Sequence, residues 1–168
     1  PLESGQHNLE NFAKSGYNLI QLHLHKDVMR FLDKRGLIDK GFPYFGWLIA
    51  VQSAVIKVAL KFNLSLIFYG EDGEVEYGGS TETKNNSFLS IDYQKKIWFE
   101  GGYEKIVNQL PLNLKKHAEF WKFPTEKEMG KKKIYTTTWS YFENWNSYRN
   151  YIIAKENFNL LEVEKGNA

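Results

Sequence analysis

Apolar residues recur at helical spacing in three segments of the first half of the chain. These segments are predicted helices: residues 8–14, 25–37 and 47–62. Gly36 is the predicted end of the second helix, since glycine often terminates helices. Residues 17–24 and 64–70 are predicted strands, and the second is so continuously apolar that we expect burial on both faces of a parallel sheet. The order α-β-α-α-β predicts an α/β fold with ligand sites beyond the carboxyl ends of its strands.

The second half of the chain contains shorter apolar repeats. Helices are predicted for four segments: residues 91–101, 103–110, 112–121 and 146–160. Pro111 separates the second of these from the third. Residues 134–142 are β-branched and aromatic, which predicts a strand, and the charged residues 125–133 predict a surface turn. This half is therefore predicted to be mostly helical.

The composition narrows the function classes. The 168 residues are 42% hydrophobic and 16% aromatic, which is enough for the core of one domain. The net charge is only +2 and the basic residues do not cluster, which argues against nucleic-acid binding. The absence of cysteine excludes disulfides, thiolate metal sites and cysteine nucleophiles in this chain. Because no apolar run reaches transmembrane length, we expect a soluble cytoplasmic protein that binds no membrane.

Four carboxylates crowd a glycine-rich loop that directly follows the second predicted strand. They are Glu71, Asp72, Glu74 and Glu76, and glycines stand at positions 70, 73, 78 and 79. Crowded carboxylates repel one another, whereas glycines allow a backbone to approach a ligand closely. The loop is therefore either a solvated turn or a site that handles a cation, a phosphate or a proton.

Two further groups of side chains have both a functional and a structural interpretation. His23 and His25 would share a face of the first predicted strand, which is the spacing of some metal-binding pairs, or they mark an exposed strand end. Trp139, Tyr141 and Trp145 would stack on a sugar or a base, or they fill a core. The residues alone leave both alternatives open in each case.

The order of three segments resembles the N-acetyl sugar amidotransferases of bacterial lipopolysaccharide, surface-polysaccharide and flagellar-glycan synthesis. These segments are residues 3–24, 64–79 and 136–158, with a long apolar helix between the first two. The acidic loop is also similar to a loop of the asparagine synthetases. The matching positions are Gly70, Glu71, Glu74, Tyr77, Gly78 and Gly79, whereas positions 72 and 75 differ. Both families belong to the PP-loop ATP pyrophosphatases.

The resemblance implies a reaction in two steps. ATP, with Mg²⁺, activates the oxygen of a sugar acetamido group as an adenylate. Ammonia from a separate glutaminase partner then displaces AMP and leaves an acetamidino group. Glu71 and Glu74 would be the catalytic residues, which position Mg²⁺–pyrophosphate or take a proton from the ammonia. The other members of this substrate and phosphate loop would be Gly70, Glu76, Tyr77, Gly78 and Gly79.

The pattern of the family is incomplete in this sequence. The cysteine zinc motif and the S-G-G-x-D-S loop that cradles pyrophosphate are both absent. The resemblance therefore implies the carboxyl-terminal portion of a longer enzyme. Residues 1–80 would be the remainder of a nucleotide-binding α/β domain, and residues 81–168 a mostly helical region. The expected fold is a partial adenine-nucleotide-hydrolase-like (PP-loop) parallel sheet with flanking helices, without its first strand and phosphate loop.

Three properties of this portion follow as expectations. It would be inactive alone, because half of the nucleotide site is missing. It would hold no tightly bound cofactor. It would form a homodimer, because the missing strand leaves an open apolar edge at residues 64–69.

Two other functions are compatible with the sequence. A non-catalytic module of the same fold would bind a glycan or a protein without turning over ATP. A tRNA-modifying PP-loop enzyme would share the adenylation chemistry, but the absence of cysteine and of a basic face argues against it.

Overall fold

The computed structural model describes residues 3–70, 86–99 and 102–162. Its longer helices are α1 (Glu3–Lys14), α2 (Lys26–Lys40), α3 (Phe45–Lys61), α4 (Ile91–Trp98) and α8 (Ser147–Phe158). The single-turn helices are α5 (Glu104–Val107), α6 (Leu112–Lys115) and α7 (Glu126–Met129), and 3₁₀ turns span Glu119–Trp121 and Trp139–Tyr141. The strands are β1 (Leu66–Tyr69), β2 (Leu89–Ser90) and β3 (Tyr135–Thr138). The structure is therefore mixed α/β and mostly helical, which confirms the α/β class.

The chain divides into two compact units. One combines Pro1–Leu22 with Asn144–Ala168 and contains α1 and α8. The other is His23–Glu143 and contains the remaining helices and strands of the described chain. The domain boundary predicted at residue 80 lies outside the described residues.

Polar contacts join α1 and the end of α8 in the first unit. The side-chain amide of Asn8 donates to the carbonyl of Leu161 at 3.0 Å, and the N–H of Leu161 donates back to Asn8 Oδ1 at 2.7 Å. Asn11 donates in the same way to the carbonyl of Asn159 at 2.9 Å. Neither helix fully buries a residue. The predicted closing helix is confirmed, and we expect this unit to open locally at low free energy because exposed hydrogen bonds hold it.

Two glycines allow α2 and α3 to pack closely in the second unit. A methyl group on Gly36 would lie 2.2 Å from Cβ of Phe45, which is closer than a Cβ atom approaches a non-bonded atom in proteins. One on Gly46 would lie 2.8 Å from Cβ of Leu32. The absence of a side chain at both positions therefore sets the distance between the two helices.

The second helix does not end where the sequence predicts. The predicted stop at Gly36 is wrong, because this glycine serves helix packing and α2 continues to Lys40. Gly41 ends the helix instead. It adopts the left-handed conformation at φ 69°, and its N–H donates to the carbonyl of Leu37 at 3.0 Å.

Buried aromatic side chains form the centre of the second unit. Trp121 is 0% exposed, and its indole N–H donates to the carbonyl of Gly46 in α3 at 2.9 Å. The rings of Phe99, Tyr103 and Phe123 pack against one another with centroids 5.2–5.5 Å apart. These contacts attach the irregular chain after α4 to the helices.

The helices predicted between residues 91 and 121 are shorter than expected. The described residues show only single turns in the ranges 103–110 and 112–121, so the prediction of two longer helices is wrong. Gly102, at φ 85°, precedes the first turn, and Pro111 precedes the second. Successive turn hydrogen bonds, such as that from the N–H of Leu110 to the carbonyl of Val107 at 3.1 Å, and the buried aromatic rings together hold this segment. The charged segment 125–133, predicted as a turn, contains α7, which begins with a capping box of Thr125 and Glu128.

The sheet has the strand order β1-β3-β2. β1 and β3 run parallel, and Tyr69 lies beside Thr138 in their register. β2 runs antiparallel to β3, with Leu89 opposite Thr136. The predicted strands at residues 64–70 and 134–142 are therefore confirmed in shorter form. The expected all-parallel sheet is corrected to a mixed one in the described chain.

The predicted strand at residues 17–24 is wrong. These residues form no strand, and apolar side chains such as Tyr17, Ile20 and Leu22 are exposed. A strand must satisfy its backbone groups on a neighbour. In the described chain the neighbour of β1 is β3, which comes from much later in the sequence.

β1 is buried on one face only, so the predicted burial on both faces is wrong. Ile67 faces the core, whereas Leu66 and Phe68 are about half exposed. The buried face lies against α3, where the hydroxyl of Tyr69 donates to Gln52 Oε1 at 3.1 Å.

No single helix among the described residues is long and apolar enough to cross a membrane. Helices α2 and α3 reach the necessary length and composition only together, and a bend of 119° lies between them.

The free side of β1 predicts self-association. Within the described residues, β1 has a strand neighbour on one side only, and exposed apolar edges tend to pair with another chain. We expect a dimer in multi-angle light scattering and a monomer for Leu66→Lys, because an edge lysine opposes pairing. Leu161→Lys is the matched control, since both leucines are 46% exposed. A wild-type monomer at high concentration would contradict this prediction.

Candidate site at the carboxyl edge of the parallel strands

The parallel pairing of β1 and β3 brings two distant chain segments to one edge of the sheet. Tyr69 and Thr138 are register partners and the last residues of their strands. Gly70 and Trp139 follow them directly. The acidic loop and the aromatic segment therefore both begin at the edge where ligands of α/β sheets are usually bound.

Four aromatic side chains form a half-exposed group at this edge, which we call the aromatic cluster: Phe68, Trp139, Tyr141 and Phe142. The ring of Phe68 lies 5.8 Å from the ring of Trp139 and 5.8 Å from that of Phe142, centroid to centroid. Tyr141 meets Phe142 edge to face at 5.4 Å. The four side chains are 40–54% exposed. The aromatic cluster is therefore a surface feature, and the core interpretation of Trp139 and Tyr141 is wrong.

The local backbone explains why these rings face outward. β3 ends at Thr138, and the chain turns at once into a 3₁₀ turn in which the N–H of Phe142 donates to the carbonyl of Trp139 at 3.0 Å. Phe68 lies on the uncovered face of β1, beside Thr137 in the register. Thr137 is 2% exposed, and its hydroxyl has no hydrogen-bond partner in the described structure. A polar atom without a partner thus adjoins the aromatic cluster.

Most residues predicted for the acidic loop lie outside the described residues: Glu71, Glu74, Glu76, Tyr77, Gly78 and Gly79. Gly70 is described. It is exposed at the end of β1, and an added methyl group there would meet no atom of the described residues within 4 Å.

Two of the three predicted stacking residues, Trp139 and Tyr141, belong to the aromatic cluster in the second unit. Trp145 belongs to the first unit and is partly buried there. The sequence reasoning missed Phe68 and Phe142, although strict alternation in a strand with one covered face would have placed Phe68 on the outside.

The structure separates the predicted histidine pair and forms another. His23 is exposed, whereas the imidazole of His25 stacks on that of His117 at a centroid distance of 4.3 Å and an interplanar angle of 23°. Imidazole nitrogens bind metals in the ring plane, so two stacked rings do not aim at one ion. The described residues contain no group of three or more potential ligands around a common point. The metal interpretation therefore has no support in this part of the chain.

Comparison with protein-family models and with curated proteins finds no match to this chain. The resemblance to the sugar amidotransferases therefore rests on the sequence segments given above.

Proposed function

We propose that this chain is the carboxyl-terminal portion of an ATP-dependent amidotransferase that converts the N-acetyl group of a sugar to an acetamidino group. The observation that carries the proposal is the shared edge of β1 and β3. The loop that resembles amidotransferases and synthetases leaves this edge at Gly70, and the aromatic segment of the same resemblance leaves it at Trp139. The described parts of these two segments that form β1 and β3 are thus neighbours in space as well.

The carboxylates of the loop have distinct proposed roles. Glu71 is the nearest of them to β1 in the sequence, two positions after its last residue, so it is the first candidate to take a proton from the attacking ammonia. Glu74 is the second candidate, and both carboxylates are of the type that Mg²⁺ prefers. When bound, Mg²⁺–ATP supplies the adenylyl group that makes the acetamido oxygen a leaving group. Ammonia comes from a glutaminase partner.

The aromatic cluster is the proposed platform for the sugar. Aromatic faces stack on the apolar faces of rings, and a single aromatic contact contributes about 0.5–1.5 kcal/mol beyond its buried area. Trp139 offers the largest ring of the cluster at 40% exposure. Its position at the carboxyl end of β3 would hold a sugar beside the start of the acidic loop.

Trp139→Ala in the full-length protein should raise KM for the N-acetyl sugar about two- to tenfold, the equivalent of one lost aromatic contact. Turnover at saturating sugar should change less. Tyr148→Ala is the control, because this tyrosine is 73% exposed on α8. Steady-state kinetics with a panel of nucleotide-activated N-acetyl sugars makes the measurement, and equal KM values for the two variants would remove the cluster from the sugar site.

The exposed aromatic cluster also favours a second candidate, a glycan-binding module without catalysis. Such a module would bind the same sugars, and Trp139→Ala would weaken binding in the same way. It would release no AMP, so turnover rather than affinity separates the two candidates.

A further inference from the structure

The stacked pair His25–His117 lies outside the proposed site and joins two segments of the second unit. His25 immediately precedes α2, and its carbonyl accepts the N–H of Met29 at 3.1 Å, an early hydrogen bond of that helix. His117 lies between α6 and the 3₁₀ turn Glu119–Trp121, and its N–H donates to the carbonyl of Leu114 at 2.9 Å. The ring contact therefore links the start of α2 to the segment that leads into the 3₁₀ turn containing Trp121.

The charged side chains nearest to the pair along the chain are mostly basic. They are Lys26, Asp27 and Arg30 beside His25, and Lys115, Lys116 and Glu119 beside His117. Asp27 pairs with Arg30 at 3.6 Å, and Glu119 pairs with Lys57, so both acids have a cationic partner already. The amino terminus of α2 adds its positive dipole end next to His25. Nδ1 of His25 is buried without a hydrogen-bond partner among the described residues. These residues therefore offer no acceptor for an N–H at this nitrogen.

We infer that the His25–His117 stack is a proton-sensitive contact, which holds the start of α2 while the ring of His117 is neutral and separates when that ring is protonated. Two imidazolium rings at this distance would repel each other, and they would lose the attraction of stacked neutral rings. The inference is independent of the proposed amidotransferase reaction.

The direction of the pH dependence follows from His117. Desolvation of the ring, followed by the charges of His25 and Lys116, lowers the pKa of the exposed His117 below its ordinary value of 6.5. The unfolded chain therefore binds this proton more readily than the folded chain. The stabilisation is complete at pH values above the ordinary value and is lost as the pH falls below it and through the lowered pKa.

Loss of the contact would have a defined structural consequence. Residues 17–25 are extended, form no strand and connect α1 to α2. His25 is the last residue of this connection and the one that the stack holds. Separation of the rings would therefore release the first turn of α2 and the residue that leads into it.

Amide hydrogen exchange by NMR tests the inference on the whole chain, with EDTA present. After correction for intrinsic rates, protection of the Met29 amide should fall by about fivefold or more between pH 7.5 and pH 5, since two unit charges about 4 Å apart repel by about 1 kcal/mol even in water. Protection of the Phe62 amide, bonded to Val58 at 3.0 Å at the far end of α3, should stay constant. His117→Gln should abolish the fall at Met29.

Two outcomes would overturn the inference. One is equal protection of the Met29 amide at pH 7.5 and pH 5 in the wild-type chain, a result that can be obtained without any variant. The other is an undiminished fall in His117→Gln, which would place the titrating group elsewhere. Imidazole ¹³C signals give a second measurement. The His117 signal should titrate at higher pH in His25→Gln than in the wild type, and an unchanged titration would contradict coupling between the rings.

Discussion

Glu71→Gln in the full-length protein is expected to lower turnover of the N-acetyl sugar by at least about a hundredfold, the lower end of the effect of losing a general base. Glu71 comes directly after Gly70 in the sequence, which makes it the loop carboxylate nearest along the chain to the end of β1. Glu74→Gln should have an effect of the same kind. Folding stability should hardly change, because crowded carboxylates stabilise nothing by themselves.

The control for this prediction is Asp72→Asn, which removes a charge from the same loop. Position 72 does not match the synthetase-like pattern, so this variant should matter least. The assay is sugar-dependent release of AMP with ammonium chloride as nitrogen donor, which bypasses the glutaminase. Near wild-type rates in both glutamine variants would identify the loop as a solvated turn.

Trp121→Ala should lower the free energy of unfolding of the second unit by about 3–5 kcal/mol, the usual cost of truncating a buried tryptophan. The side chain is 0% exposed, and its indole N–H satisfies the carbonyl of Gly46 in α3. Truncation would leave both a cavity and a buried carbonyl without a partner. Urea denaturation followed by circular dichroism makes the measurement.

Two variants serve as controls for the Trp121 prediction. Trp139→Ala removes the same atoms from a side chain that is 40% exposed and should cost far less. Trp121→Phe keeps an aromatic ring but removes the N–H, and should retain part of the stability. Equal losses for Trp121→Ala and Trp139→Ala would show that the assignment of the core around Trp121 is wrong.

The sequence predicts the elements that local pattern determines. Helix α3 and strand β1 appear close to their predicted ranges, because a long apolar helix and a short apolar strand carry strong local signals. Residues 17–24 have an equally strong strand pattern and form none, because a strand also needs a neighbour. Gly36 shows the same limit. Its role depends on close contact with Phe45 of the next helix, and a rule that considers only neighbouring residues in the sequence cannot predict that contact.

The candidate site shows what a single sequence cannot provide. The acidic loop and the aromatic segment are each visible in the sequence, but their common edge depends on the pairing of β1 with β3. That pairing joins strands far apart in the chain, across a connection that local patterns do not constrain.

The most direct test of the proposed function is a single reaction of the full-length protein with Mg²⁺–ATP, nucleotide-activated N-acetyl sugars and nitrogen-15 ammonium chloride. The proposal predicts AMP that forms only when both sugar and ammonium are present, and a sugar product in which labelled nitrogen has replaced the acetamido oxygen. Sugar binding without AMP release, or AMP release without label in the sugar, would contradict it.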